Sequence, residues 1–100
     1  MIFVVGGGSG EKTNYIDVSV PATGWTLESN TNAYTKTVTI SGLTANNRVA
    51  VLFCPPHDLV EYDIQEQAYN LIYAADSVSG GLKLYAVDQP SSACTITVAY

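Results

Sequence analysis

Positive charge is scarce in this 100-residue chain. Lys12, Lys36, Arg48 and Lys83 are all of it, against nine carboxylates, for a net charge of -5. Binding to a phosphate backbone needs a basic stripe, so the deficit argues against nucleic acid as a partner. It equally disfavours an anionic membrane surface. Histidine is scarcer still. His57 stands alone, with no matched nucleophile near it in sequence, and reads as a loop residue rather than a general base. Ser9, Ser19 and Ser41 carry no nucleophile-elbow pattern. The two cysteines, Cys54 and Cys94, have no nearby ligand set and make no zinc site. No apolar run approaches the roughly 20 residues of a membrane-spanning helix. Met1-Ile2-Phe3-Val4-Val5 is too short for a signal-peptide core and no basic residue precedes it, so no export signal is expected. Accumulation in a cytosol, or in a particle assembled there, is the matching expectation.

What the chain does have is alternation. Hydrophobic residues at 47% with charged residues at 13% describe a globular chain, and its length sets one domain. Ile16, Val18 and Val20 alternate with Tyr15, Asp17 and Ser19, and Tyr34 to Ile40 repeats the pattern with Val38 and Ile40 inward and Thr35, Thr37 and Thr39 outward. Period two means that one face of each segment is buried. Val49 to Phe53 is apolar on both faces, which predicts a central strand. Leu71 to Ala75 returns to strand. Ser77-Val78-Ser79 meets Leu82-Lys83-Leu84 across Gly80-Gly81, read as a two-residue hairpin turn. Thr95 to Tyr100 closes the fold. Several such segments at short spacing predict an all-β, antiparallel β-sandwich of about seven strands. Trp25 is expected to plug its core and Leu43 its end.

One helix interrupts the strands, at about residues 58-70. Pro55-Pro56 stops the preceding strand. Asp58 is an N-cap candidate with Glu61 three residues on. Val60, Ile64, Ala68 and Leu71 recur at helical spacing and are expected to face the core. Asp58, Glu61, Asp63 and Glu66 then form a solvated flank near a favourable N-terminal dipole. They lack the spacing of a calcium loop.

Residues 1-10 read as an apolar segment followed by a Gly-rich linker, and residues 11-100 as the single sandwich domain. Gly6 to Thr13 is one residue away from a phosphate loop, but Glu11 occupies the required glycine and a strand rather than a helix follows. It reads as linker. The short strand Ile2, Phe3, Val4 and Val5 on such a tether is suited to pairing with a neighbouring chain's sheet edge, as an alternative to its own. Cys54 and Cys94 read as two free thiols, with a disulfide as the alternative if Ala50, Leu52 and Cys54 share a face with Cys94, Ile96 and Val98. Tyr62, Tyr69, Tyr73 and Tyr85 are expected partly outside the core, and Tyr69, Tyr73 and Tyr85 are the candidates for a partner surface.

The ordered set Val18-Ser19-Val20-Pro21-x-x-Gly24-Trp25, then Tyr34-x-Lys36-Thr37-Val38-Thr39-Ile40-Ser41-Gly42-Leu43-Thr44, then the Glu61 to Tyr69 insert, then Gly81-Leu82-Lys83-Leu84-Tyr85-Ala86 and Pro90, resembles a small domain common in phage and prophage structural proteins. These are Ig-like sandwiches at the ends of tail, baseplate or head-fibre polypeptides. The resemblance covers about Thr13 to Tyr100 and lies in order and spacing. It implies a non-enzymatic virion structural subunit of tail, baseplate, head-fibre or decoration type, made in the bacterial cytoplasm. Its partners would be other virion proteins or copies of itself, with no nucleic acid and no membrane. It supplies no catalytic, cofactor-binding or metal-binding residues. The alternative reading, from the tyrosines, is a carbohydrate- or cell-surface-binding module taking a host-surface glycan along a concave aromatic strip.

Overall fold

The computed structural model describes the backbone of Ile2–Val5 and, in full, residues 14-100. The Gly-rich stretch 6-10, and with it the linker and phosphate-loop readings, lies outside the described residues. The described chain forms β1 (Ile2–Val5), β2 (Tyr15–Val20), β3 (Thr26–Glu28), β4 (Ala33–Thr39), β5 (Val49–Phe53), α1 (Leu59–Asn70), β6 (Ile72–Val78), β7 (Gly81–Ala86) and β8 (Cys94–Ala99). The strands make two four-stranded sheets, ordered β1-β5-β8-β2 and β3-β4-β7-β6. Every pairing is antiparallel. The expected sandwich is therefore present.

Strand order gives the sandwich its character. In an immunoglobulin constant domain one sheet runs A-B-E-D and the other C-F-G. Reading β3 to β8 as A to F reproduces A-B-E-D in the second sheet and C-F in the first. The G position beside β8 is held by β2, which precedes β3 instead of following β8. This is the strand order of a circular permutation. At its outer end Asn14 and Tyr100 exchange both backbone hydrogen bonds, at 2.8 and 2.9 Å, so the start and finish of the 14-100 segment lie side by side.

The core follows from the alternation. Val38 and Ile40, Val49 and Val51, Leu82, Leu84 and Ala86, and Ile96 and Val98 all turn inward and are buried. Val49 to Phe53 lies between β1 and β8, the interior position in the sheet expected of it. Trp25 is buried and its indole Nε1–H donates to the Pro21 carbonyl at 2.9 Å, closing the turn between β2 and β3. Leu43 plugs one end, as expected, and its carbonyl accepts from the Gly80 N–H at 2.7 Å.

Three local expectations need correction. The β6-β7 turn is Ser79-Gly80, with Val78 paired to Gly81, so the hairpin sits one residue earlier than Gly80-Gly81. Gly80 takes the positive φ of 75° that the turn needs, while Gly81 already belongs to the strand. The cysteines do not share a face. Phe53 pairs with Ile96 and the Cys54 N–H donates to the Thr95 carbonyl, which puts Cys54 on the face opposite Cys94. It is Val49, Val51 and Phe53 that share a face with Cys94, Ile96 and Val98, and both thiols are free.

The third correction concerns α1. Asp58 caps it as expected, its carboxylate accepting from the Glu61 N–H at 3.0 Å. The buried face is different. Val60 is 67% exposed and Ile64 39%, whereas Tyr69 is 1% exposed. Phe53, at the end of β5, decides this: its ring stacks on Tyr69 at 5.1 Å and meets Tyr62 at 5.8 Å. Tyr62 and Tyr69, two turns apart, lie on one helix face. The ring of Tyr69, stacked on Phe53 with Tyr62 at its edge, therefore anchors the helix; Ala68 is buried beside it and Leu71 packs against the core, and only the first half of the aliphatic stripe, Val60 and Ile64, is left outside.

Candidate functional site

The outer face of the second sheet carries the densest arrangement of functional side chains. The register places Thr26, Thr35 and Tyr85 in one outward row across β3, β4 and β7. On β6 that row ends in a bulge: Ile72 pairs with Ala86 and Ala74 with Tyr85, leaving Tyr73 as the extra residue. A bulge re-aims a side chain. Here it sets Tyr73, 52% exposed, beside Tyr85 on the outer face, with ring centres 6.5 Å apart and planes tilted by 55°.

Charged groups hold the Tyr85 ring in place. Asp76 and Lys83 are register partners on β6 and β7. The Tyr85 hydroxyl donates to Asp76 at 2.8 Å. Lys83 Nζ lies 5.2 Å from the Tyr85 ring centre and reaches across the sheet to Glu28 at 2.7 Å. Thr31 Oγ1 donates to the other Glu28 oxygen at 3.1 Å. The titration shifts follow from these partners. The hydrogen bond from Lys83 lowers the pKa of Glu28, and the same bond raises that of Lys83. The Asp76 carboxylate raises that of Tyr85, because it favours the protonated phenol. Glu28 and Lys83 are thus paired on a solvent-facing surface, while Asp76 accepts from the neutral Tyr85 hydroxyl and leaves these three groups one negative charge in excess. Such a face offers ordered aromatic contact area beside a slight excess of negative charge.

The candidate partner residues fall into three places. Tyr73 and Tyr85 meet on this face. Tyr69 does not: it is in the core, where its hydroxyl makes a long, 3.5 Å contact with the Val51 carbonyl, so it cannot touch a partner. Burial also raises its pKa. Ile2, Phe3, Val4 and Val5 lie in the first sheet, where their backbone pairs with Leu52 to Val49 of the same chain. Edge β1 runs close to edge β6 where the two sheets meet.

No known protein family, curated protein or solved structure matches the chain.

The acidic residues are dispersed around α1. Asp58, Glu61 and Asp63 are exposed, and Glu66 accepts from the Tyr62 hydroxyl at 2.9 Å, a bond that raises the pKa of Tyr62. His57 is exposed in the loop before the helix. Among the described residues no three His, Cys, Asp or Glu side chains gather to hold a metal ion. Beside α1 an open depression of about 400 Å3 is lined by Ile64, Gln67, Ala68, Leu71, Ser91 and Ser92.

Sequence reasoning missed Glu28, Asp76 and Lys83. The signal for two of them was there. Once the turn is set at Ser79-Gly80, counting outward puts Asp76 opposite Lys83, and Lys83 shares the outward parity of Tyr85. Glu28 comes from an edge strand of three residues, too short for any periodicity to place.

Proposed function

We propose that this chain is a non-enzymatic structural subunit of a phage-type virion, working through protein–protein contacts of a rigid sandwich. The observation that carries the reading is the outer face of the second sheet. Tyr85 is ordered by Asp76 and Lys83, Tyr73 lies against Tyr85, Lys83 is paired with Glu28 within the face, and uncharged threonines flank them. Tyrosine supplies large contact area at low entropic cost, and hot spots favour it. The order and spacing of the strands, the α1 insert and the Gly81 to Ala86 strand support the particle assignment through their resemblance to phage Ig-like domains.

The sugar-binding alternative calls for three tyrosines in a strip. With Tyr69 in the core, two tilted rings are left on the face.

The test is quantitative mass spectrometry of purified particles from a host that carries the gene. A fixed copy number relative to the major shell protein is expected, and Tyr73→Ser should lower it without changing the melting temperature of the isolated chain. A chain that stays in the soluble fraction, absent from particles, refutes the reading. Glycan-array binding that is lost in Tyr73→Ser favours the alternative.

A further inference from the structure

The packing of α1 leaves the first half of its aliphatic stripe, Val60 and Ile64, on the outside, while Ala68 is buried and Leu71 packs against the core. Leu59 is 74% exposed, Val60 67% and Ile64 39%. Val60 and Ile64 are one turn apart and point the same way. Ile64 also lines the depression of about 400 Å3, together with Gln67, Ala68, Leu71, Ser91 and Ser92. The result is an apolar ridge running into a shallow trough along α1, from Val60 to the C-cap Leu71.

Its borders carry one sign of charge. At 100° per residue, Glu61 falls on one side of the Val60–Ile64 line and Asp63 on the other, with Asp58 at the helix start. The helix has no Lys or Arg, and none stands in its last turn. A second copy of this chain would bring the same carboxylates against these, so self-pairing through the stripe is opposed by like charge. An occupant with apolar side chains flanked by ammonium or guanidinium groups meets both the ridge and its borders.

We propose that the outer stripe of α1, with the adjoining trough, docks an apolar–basic protein segment, taken as an amphipathic helix laid alongside α1. Leu and Ile side chains of that segment enter the trough between Ile64, Leu71 and Ser92. Its Lys and Arg side chains pair with Glu61 and Asp63. This is helix-in-groove recognition, read through anchors at helical spacing. The proposal stands independently of the particle assignment, and the stripe lies on a different element from the tyrosine face.

The probe is a 14-residue Leu/Lys amphipathic helical peptide, titrated into the full isotope-labelled chain and followed by amide chemical shifts. A Leu/Glu peptide of the same pattern and a scrambled Leu/Lys peptide are the controls. Shifts confined to residues 60-71 and 91-92 are expected with the Leu/Lys helix alone. Ile64→Asp should weaken binding at least ten-fold, and Glu61→Gln with Asp63→Asn should weaken it and flatten its salt dependence. Both sites are exposed, so the variants should keep the parental melting temperature; Val60→Asp serves as a second apolar-face variant. Equal binding of the Leu/Glu peptide, shifts centred on the tyrosine face, or unchanged affinity in both Ile64→Asp and Val60→Asp overturns the proposal. So does a concentration-dependent dimer, seen by light scattering without peptide and abolished by Ile64→Asp, since that makes the occupant a second copy.

Discussion

Gly80 and Gly81 are adjacent and chemically identical, yet the structure requires them for opposite reasons, and substitution separates the two. Gly81 has no special φ. A Cβ built there would lie 2.6 Å from the Val38 carbonyl oxygen and 3.2 Å from Thr37 Cγ2. The first is a backbone atom of the paired strand β4, so it cannot swing aside without shifting the β4-β7 pairing. Forced insertion of a methyl group into a packed region costs ~1–3 kcal/mol. Removing a strand glycine's unfolded-state freedom gains back ~0.5–1 kcal/mol. The net for Gly81→Ala is a loss of about 1–2 kcal/mol, which for a domain of this size lowers Tm by roughly 5–15 °C. Gly80 is the reverse case: nothing lies within 4 Å of a Cβ there, but φ is 75°. Gly80→Ala should cost about 1 kcal/mol for the left-handed backbone, and Gly80→Asn less, because asparagine tolerates that region. Gly81→Asn should be at least as damaging as Gly81→Ala. Urea unfolding of the four variants, read as shifts in midpoint at constant slope, tests the pattern. A neutral or stabilising Gly81→Ala, or rescue by asparagine at 81 rather than 80, refutes the steric argument.

Tyr69 should be sensitive to volume: Tyr69→Ala costs about 3–5 kcal/mol through the cavity beside Phe53, whereas Tyr69→Phe keeps the ring stacked on Phe53 and should cost clearly less by denaturant titration. Burial pushes the Cys94 thiol from 9.0 up to about 11. A raised folded pKa gives stability that is whole below pH 9 and declines as pH climbs from 9 through 11, by up to about 2–3 kcal/mol. Cys94→Ala should flatten that part of the stability–pH curve, with Tyr69 still contributing a decline of the same sign at higher pH. A thiol reagent at pH 8 should label Cys54 in the native protein and reach Cys94 only on unfolding. Asp58→Ala, which removes the cap on the Glu61 N–H, should lower stability by about 1 kcal/mol in thermal melts followed by circular dichroism.

The strands were legible because each alternates against a single core. The inward sets of β2, β4, β7 and β8 can be picked out residue by residue, and the capped start of α1 is written in Asp58. The misreadings share one cause: position along an element was inferred locally where a long-range partner sets it. Of the stripe Val60, Ile64, Ala68 and Leu71, the second half does pack inward, but the ring of Phe53 draws in Tyr62 and Tyr69 and leaves Val60 and Ile64 outside. The cysteine faces turned on the β5-β8 register, and a one-residue slip inverts every side chain. Tyr73 joins Tyr85 only through a bulge, which has no signature in Leu71-Ile72-Tyr73-Ala74. The site was therefore half visible: its two rings were named, and the ion pair that steadies them was not.

The exchange of hydrogen bonds between Asn14 and Tyr100 also sets how the sandwich answers to mechanical load. Tension applied across these two residues falls on the rungs of β2 and β8 one at a time, from Tyr15 opposite Ala99 down to Val20 opposite Cys94, as a zipper opens. A ladder loaded that way yields at low force, whereas one loaded lengthwise shares the strain over all its rungs. Load passed from neighbour to neighbour through the flat sides of the sandwich avoids that weak seam.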